Sequence, residues 1–266
     1  MSRIQSRFAQ LKNNQKTALI PFVTAGDPNP GITVELMHNL VKAGANLLEL
    51  GVPFSDPMAD GPVIQLASER ALENGVSLSD VLNMVTEFRQ NDPDTPVILM
   101  GYLNPVEVMG YDNFAKRAAQ AGVDGVLTVD LPPEESDDLI KALHPQHIDP
   151  IFLLAPTSDI RRIERISSHA SGFVYYVSVK GVTGSKAVDV DAVADKLAEI
   201  REHIQLPLGV GFGIRDPETA AQVASVADAV IVGSALVQKI ETLSPEAVLV
   251  ELPALVGEMR AAMDAV

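Results

Sequence analysis

Apolar, β-branched runs alternate with amphipathic stretches along most of this chain. The runs fall at 17–25 (TALIPFVTA), 46–52, 96–103 (PVILMGYL), 125–131 (GVLTVDL), 150–155, 172–178 (GFVYYVS), 207–213 (PLGVGFG) and 229–235 (AVIVGSA), giving eight strand candidates. Between most of them stand helix-period stretches with start signals. These are Asp27-Pro28 before 30–43, Ser77 before 78–90, Pro132-Pro133 before 134–143, Ser158 before 159–168 and Asp216-Pro217 before 218–226. Ahead of the first run, residues 1–14 place Ile4, Phe8 and Leu11 at helical spacing. Repeated strand-then-helix units require parallel strands joined by right-handed crossovers. Eight units over this length predict one α/β domain spanning 1–266, a (β/α)8 TIM barrel with an extra N-terminal helix. A doubly wound sheet would carry Gly-x-Gly-x-x-Gly after its first strand, whereas 24–29 read TAGDPN. Two intervals are long: 53–76 after the second strand, with a short helix at 63–74, and the Gly- and Thr-rich 179–187 after the sixth. Long loops on the C-terminal side of a barrel are candidate lids.

Charge narrows the choice of ligand. Thirty-five acids against 20 bases give a net charge of -15, which repels nucleic acid and anionic membranes. An anionic small molecule must then be met locally, by backbone N–H groups and helix N-termini. The absence of cysteine excludes disulfides, thiolate nucleophiles and Cys-based metal sites. With neither an apolar leader nor a membrane-spanning run, a cytoplasmic protein is the expectation.

The chemistry centres on residues 46–62. Leu47, Leu48, Glu49 and Leu50 form an apolar run with one acid, ended by Gly51 and Pro53. Strand alternation puts Leu48 and Leu50 on one side and Leu47 and Glu49 on the other. A carboxyl group buried without a partner has a raised pKa and exchanges protons near neutrality. Asp56 and Asp60 follow in a Pro- and Gly-rich loop, where each alone reads as turn chemistry. A barrel gathers its C-terminal strand ends at one mouth, so Glu49, Asp60, Tyr102, Asp130, Tyr175 and Tyr176 converge there with three glycine clusters. Those clusters, through Gly184, Phe212, Gly213, Gly233 and Ser234, suit a phosphate held by backbone N–H groups. No lysine lies inside a predicted strand to form a Schiff base, and the five histidines fall in helices or at their ends, so no metal site is expected. Acid–base chemistry by carboxylates on a phosphorylated substrate remains.

The chain resembles the tryptophan synthase alpha subunit family. The likeness rests on Leu48-Glu49-Leu50-Gly51-Val52-Pro53-Phe54-Ser55-Asp56-Pro57 leading into Ala59-Asp60-Gly61-Pro62, on the stretch from Pro21 to Pro28, on Gly181-Val182-Thr183-Gly184 and on Gly211-Phe212-Gly213-Ile214. Leu66 and Lys180 are less typical of it. The resemblance implies retro-aldol cleavage of indole-3-glycerol phosphate to indole and glyceraldehyde 3-phosphate. It implies catalysis by Glu49 and Asp60 with Tyr175 in support, an indole pocket lined by Phe22, Leu99 and Met100, and a lid carrying Thr183. No cofactor is expected in this chain. A pyridoxal-phosphate beta subunit is the implied partner, in an alpha2beta2 heterotetramer, with Asp56, Pro57 and Asn104 on the docking face. Two alternatives stand beside this: a free-standing indole-releasing lyase, and another phosphate-binding TIM-barrel enzyme.

Overall fold

The computed structural model describes residues 2–178, 189–211 and 213–266. Eight strands form a closed barrel in chain order: β1 Ala18–Thr24, β2 Leu48–Gly51, β3 Val97–Gly101, β4 Gly125–Thr128, β5 Asp149–Leu154, β6 Val174–Val177, β7 Leu208–Gly211 and β8 Ala229–Val232. Every pairing is parallel, and β8 closes onto β1. The strand expectations hold to within a few residues at each end.

Alternation along the strands builds two cores. Leu19, Val23, Leu48, Leu50, Leu99 and Val126 face outward, against the helix ring. Ala18, Ile20, Leu47, Ile98, Leu127, Ile151, Phe173 and Ile231 face inward. The inner core is completed from below by α1 (Arg3–Asn13), which inserts Ile4, Phe8 and Leu11 into the barrel. Ser2 starts that helix with a capping box to Gln5. Each buried large side chain of the plug contributes about 1.5–3 kcal/mol, so α1 is an integral floor.

The ring contains more helices than the sequence pattern showed. α2 (Thr33–Lys42), α4 (Leu78–Arg89), α7 (Asp137–Leu143), α8 (Ile160–His169) and α10 (Pro217–Ala224) occupy the expected places. Two helices, α5 (Leu103–Met109) and α6 (Tyr111–Ala121), fill the β3–β4 interval, and α9 (Val190–His203) precedes β7. After β8 come α11 (Ser234–Thr242) and α12 (Pro245–Met263), the latter packed against both α10 and α2 so that the ring closes. Pro253 and Gly257 inside α12 conceal its periodicity.

The insertion after β2 contains α3 (Pro62–Glu73). Its last turns are bolted to the loop after β1, where Arg70 donates to both oxygens of Asp27 at 2.7 and 2.9 Å, and Asn74 to the carbonyls of Gly26 and Pro28. Asp27-Pro28, a helix-start signal by sequence, is instead a cis peptide preceding a short 3-10 turn. The other long interval, 179–187, lies outside the described residues.

Candidate active site at the barrel mouth

Glu49 sits in the middle of β2, between Phe22 of β1 and Ile98 of β3 in register, and points inward. It is 2% exposed, and among the described residues no hydrogen-bond donor or cation meets its carboxyl group. Burial alone pushes its pKa up to about 8. A carboxyl group shifted that far is suited to giving and taking a proton near neutral pH.

Tyr175 of β6 is inward too, and its phenol is raised well above the ordinary value, first by burial and then by the charge of Glu49. The ring has room because β7 ends in glycine. A Cβ at Gly211 would lie 2.0 Å from the Tyr175 hydroxyl. Gly51 does the same for Phe22, whose ring would be 2.7 Å from an added Cβ. Some of the glycine pattern that suggests a phosphate cradle thus serves ring clearance.

Asp60 comes from the loop between β2 and α3. Its Oδ2 accepts a 3.0 Å hydrogen bond from the Tyr102 hydroxyl, and its backbone carbonyl accepts one from the Gln65 side chain at 2.9 Å. Burial raises the pKa of Asp60, opposed by the Tyr102 bond. On the same loop Asp56 is exposed, Pro57 half-buried and Met58 81% exposed. Asn104 is exposed at the start of α5, and the N–H of Leu103 beside it is held by Asp130 at 2.9 Å.

Above Glu49 lies a small apolar cluster: Phe22, Met100, Val63, Ile64 and Ala67 of α3, and Val237 of α11. It is apolar and includes the Phe22 ring, a surface suited to an aromatic ligand. At its far side Gly233 precedes α11, whose N-terminus has no side-chain cap; the Leu236 and Val237 N–H groups turn back to the Gly233 carbonyl, and those of Ser234 and Ala235 are the ones placed to suit an anion. Gly213 nearby has φ +80, a conformation that favours glycine.

A buried carboxyl group with a raised pKa, a second acid on a tethered loop, an apolar cluster and a helix N-terminus without a side-chain cap share one mouth. A family model described as the tryptophan synthase alpha chain matches residues 8–264. The chain belongs to the tryptophan synthase alpha chain family. It is 65% identical to the alpha chain of Thioalkalivibrio sulfidiphilus, over 99% of this chain and all of that one. With the alpha chain of Marinobacter nauticus it shares 61% identity, over 99% of this chain and 98% of the relative. The crystal structure of tryptophan synthase subunit alpha from Legionella pneumophila strain Paris superposes with a TM-score of 0.93 at 48% identity, each chain fully covered.

The residues singled out from the alpha chain resemblance divide into three groups. Glu49, Asp60, Tyr175, Phe22, Met100, Gly213, Gly233 and Ser234 belong to the mouth, with Asp56, Pro57 and Asn104 in or beside its rim. Leu99 does not belong: as the neighbour of inward Met100 it faces the helix layer, in the core shared with Leu50 and Val126. Thr183, Gly184 and Phe212 lie outside the described residues. Sequence reasoning placed Tyr102 at the mouth without giving it a partner, and it missed Val63, Ile64 and Val237. Spacing does signal the first two, because an apolar pair opening an inserted helix must face the barrel that the insertion covers. Thr24, at the end of β1, is buried with its hydroxyl unpartnered. Among the described residues no group of three or more His, Cys, Asp or Glu is placed to hold a metal ion, and no helix is long and apolar enough to cross a membrane.

Proposed function

We propose that Glu49 performs both proton transfers of a retro-aldol cleavage, with Asp60 recognising the indole ring. Family membership fixes the reaction class: the chain is an indole-3-glycerol-phosphate lyase of tryptophan biosynthesis, and it works with a beta chain. It needs no cofactor of its own, pyridoxal phosphate belonging to the beta chain.

In the mechanism, protonated Glu49 delivers its proton to C3 of the indole. The ring becomes an iminium and can accept an electron pair, which is why neither a Schiff-base lysine nor a metal is required. Glu49, now a carboxylate, takes the proton of the adjacent glycerol hydroxyl. The O–H electrons form the aldehyde C=O, the bond between that carbon and C3 breaks, and its electrons restore the neutral indole. Glu49 ends protonated, as it began. A pKa near 8 suits a group that is acid and base within one turnover. Asp60 accepts the indole N–H and offsets the charge on the iminium. Tyr175 supports the glycerol end beside Glu49, and Phe22 and Met100 hold the ring.

The phosphate rests on backbone N–H groups of Gly184, Phe212, Gly213, Gly233 and Ser234, aided by the α11 N-terminus. Thr183 belongs to the lid. Asp56, Pro57 and Asn104 meet the beta chain, in an alpha2beta2 assembly of the cytoplasm, and residues 1–266 act as one barrel domain. The observation carrying this reading is Glu49: a buried acid with no partner among the described residues, beside an apolar cluster. The test is indole release from indole-3-glycerol phosphate by the purified chain, alone and titrated with beta chain. Turnover that rises at least tenfold with the partner supports it. Equal rates mean a self-sufficient lyase, and no indole in either case defeats the reading.

A further inference from the structure

We infer that Tyr102 is the positioning residue for Asp60, fixing one carboxylate oxygen so that the other is presented to the substrate. The inference rests on the reading of Asp60 given above and adds the group that aims it. Tyr102 follows β3 directly and is the residue before the first turn of α5, so its backbone belongs to the barrel framework. Its side chain is 5% exposed and reaches across to the loop after β2. There the hydroxyl oxygen accepts the N–H of Ala59 at 3.0 Å and donates to Oδ2 of Asp60 at 3.0 Å. A phenol has a single proton. An ionised carboxylate can only accept, so that proton goes to Asp60 while the hydroxyl oxygen takes the Ala59 N–H. The ring stacks on Phe54, centroids 5.3 Å apart.

Tyr102 thus holds the loop on both sides of its exposed tip, at residue 54 and at residues 59 and 60. The one side-chain bond to the Asp60 carboxyl group among the described residues is this one, and it leaves Oδ1 for a ligand. Burial, then the charges of Asp60 and Asp130, push the Tyr102 phenol up, which keeps it a donor. Asp130 faces it from the loop after β4, and no Lys or Arg shifts either member of the pair.

Tyr102→Phe keeps the stacked ring and deletes only the hydroxyl. In the complex with beta chain, kcat for indole release falls by about 10- to 100-fold. KM changes by less than about threefold, since the proposed phosphate and ring contacts are untouched. The acid limb of the pH profile moves to higher pH, because Asp60 loses the one interaction that opposes its burial. Phe54→Leu removes the stack and leaves the hydroxyl, so it costs only a few-fold. A readout without turnover is the titration of the Asp60 carboxyl by carbon-13 NMR in the isolated chain, which rises in Tyr102→Phe. Equal Asp60 titration in the two chains overturns the inference even if wild-type turnover stands. A wild type that releases no indole defeats the reaction assigned to Asp60, while the NMR comparison still decides whether Tyr102 positions it. Phe54→Leu matching Tyr102→Phe in kcat and Asp60 titration would assign the effect to the ring and overturn the role of the hydroxyl.

Discussion

The two ends of the barrel treat a buried carboxylate in opposite ways. At the base, Asp124 is 4% exposed and surrounded by donors: Arg89 at 2.7 Å, Arg3 at 2.8 Å and the N–H of Val97 at 2.8 Å. Asp149, also at the base, accepts from the hydroxyls of Ser2 and Ser171 at 2.6 and 2.5 Å. At the mouth Glu49 is as deeply buried and among the described residues has no partner. The fold is able to pair an acid near the mouth, because Asp27 receives the bidentate Arg70. The isolation of Glu49 is therefore a property of its place, beside the apolar cluster of Phe22 and Met100. Paired acids hold the chain together; the unpaired one has its proton equilibrium moved toward neutrality.

The sharpest way to break this contrast is Glu49→Gln. Turnover should fall by about 10²–10⁴-fold or more, measured as indole release with beta chain present, with substrate binding by calorimetry nearly unchanged. Stability should move the other way. A carboxyl pKa raised from 4.5 to about 8 means that the folded chain holds a proton the unfolded chain has lost, so wild-type stability declines as pH rises through that window. The slope from this one group is about 1.4 kcal/mol per pH unit. Glutamine has no such dependence, and Glu49→Gln should match wild type near pH 4.5 and exceed it at pH 8. A wild-type melting profile flat across this range would show that Glu49 is solvated or paired in solution.

The base should give the opposite signature. Asp124→Ala strands Arg89, whose side chain is 11% exposed, and should cost about 3–5 kcal/mol by urea unfolding. Turnover per folded molecule should stay within twofold. A large kcat loss at full folding would mean that the ends of the barrel are coupled.

The contrast was only partly legible in the sequence. Glu49 stood out because one acid interrupts an apolar run, and the alternation Leu48, Leu50 against Leu47, Glu49 is reproduced in the two cores. β3 offered no such marker. Val97-Ile98-Leu99-Met100 is apolar on both faces, as parallel strands usually are, so nothing local separates outward Leu99 from inward Met100. Asp124 and Asp149 sit in Gly-Val-Asp-Gly and His-Ile-Asp-Pro, which read as turns; the side-chain and backbone donors that meet them are 22 or more residues away, and only tertiary structure unites them. Tyr102 and Asp60 are separated by 42 residues in the same way.

A smaller effect sharpens the glycine reading. Gly211→Ala places a Cβ where the Tyr175 hydroxyl is, so the ring must leave its position beside Glu49, and kcat should drop by about tenfold. Gly233→Ala meets only Phe22 atoms at 3.6 Å or more, an ordinary contact, so the fold should be unaffected and any change should appear in KM. Steady-state kinetics on both variants checks this. If Gly211→Ala raises KM alone, the end of β7 serves the phosphate and not the tyrosine.

The smallest expected effect is at Arg3→Ala. Arg3 shares Asp124 with Arg89, but its side chain is 41% exposed, so water and salt screen the ion pair. Its other bond, to the carbonyl of Pro93 at 2.7 Å, is also exposed. Asp124 retains the Arg89 pair and the Val97 N–H when Arg3 is gone. The loss should be about 1 kcal/mol or less, shrinking further in high salt, with no change in kcat. Urea unfolding at low and high ionic strength measures it. A loss as large as that of Asp124→Ala would mean that Arg3 holds α1 in the barrel floor, and that the base depends on one contact as fully as the mouth depends on Glu49.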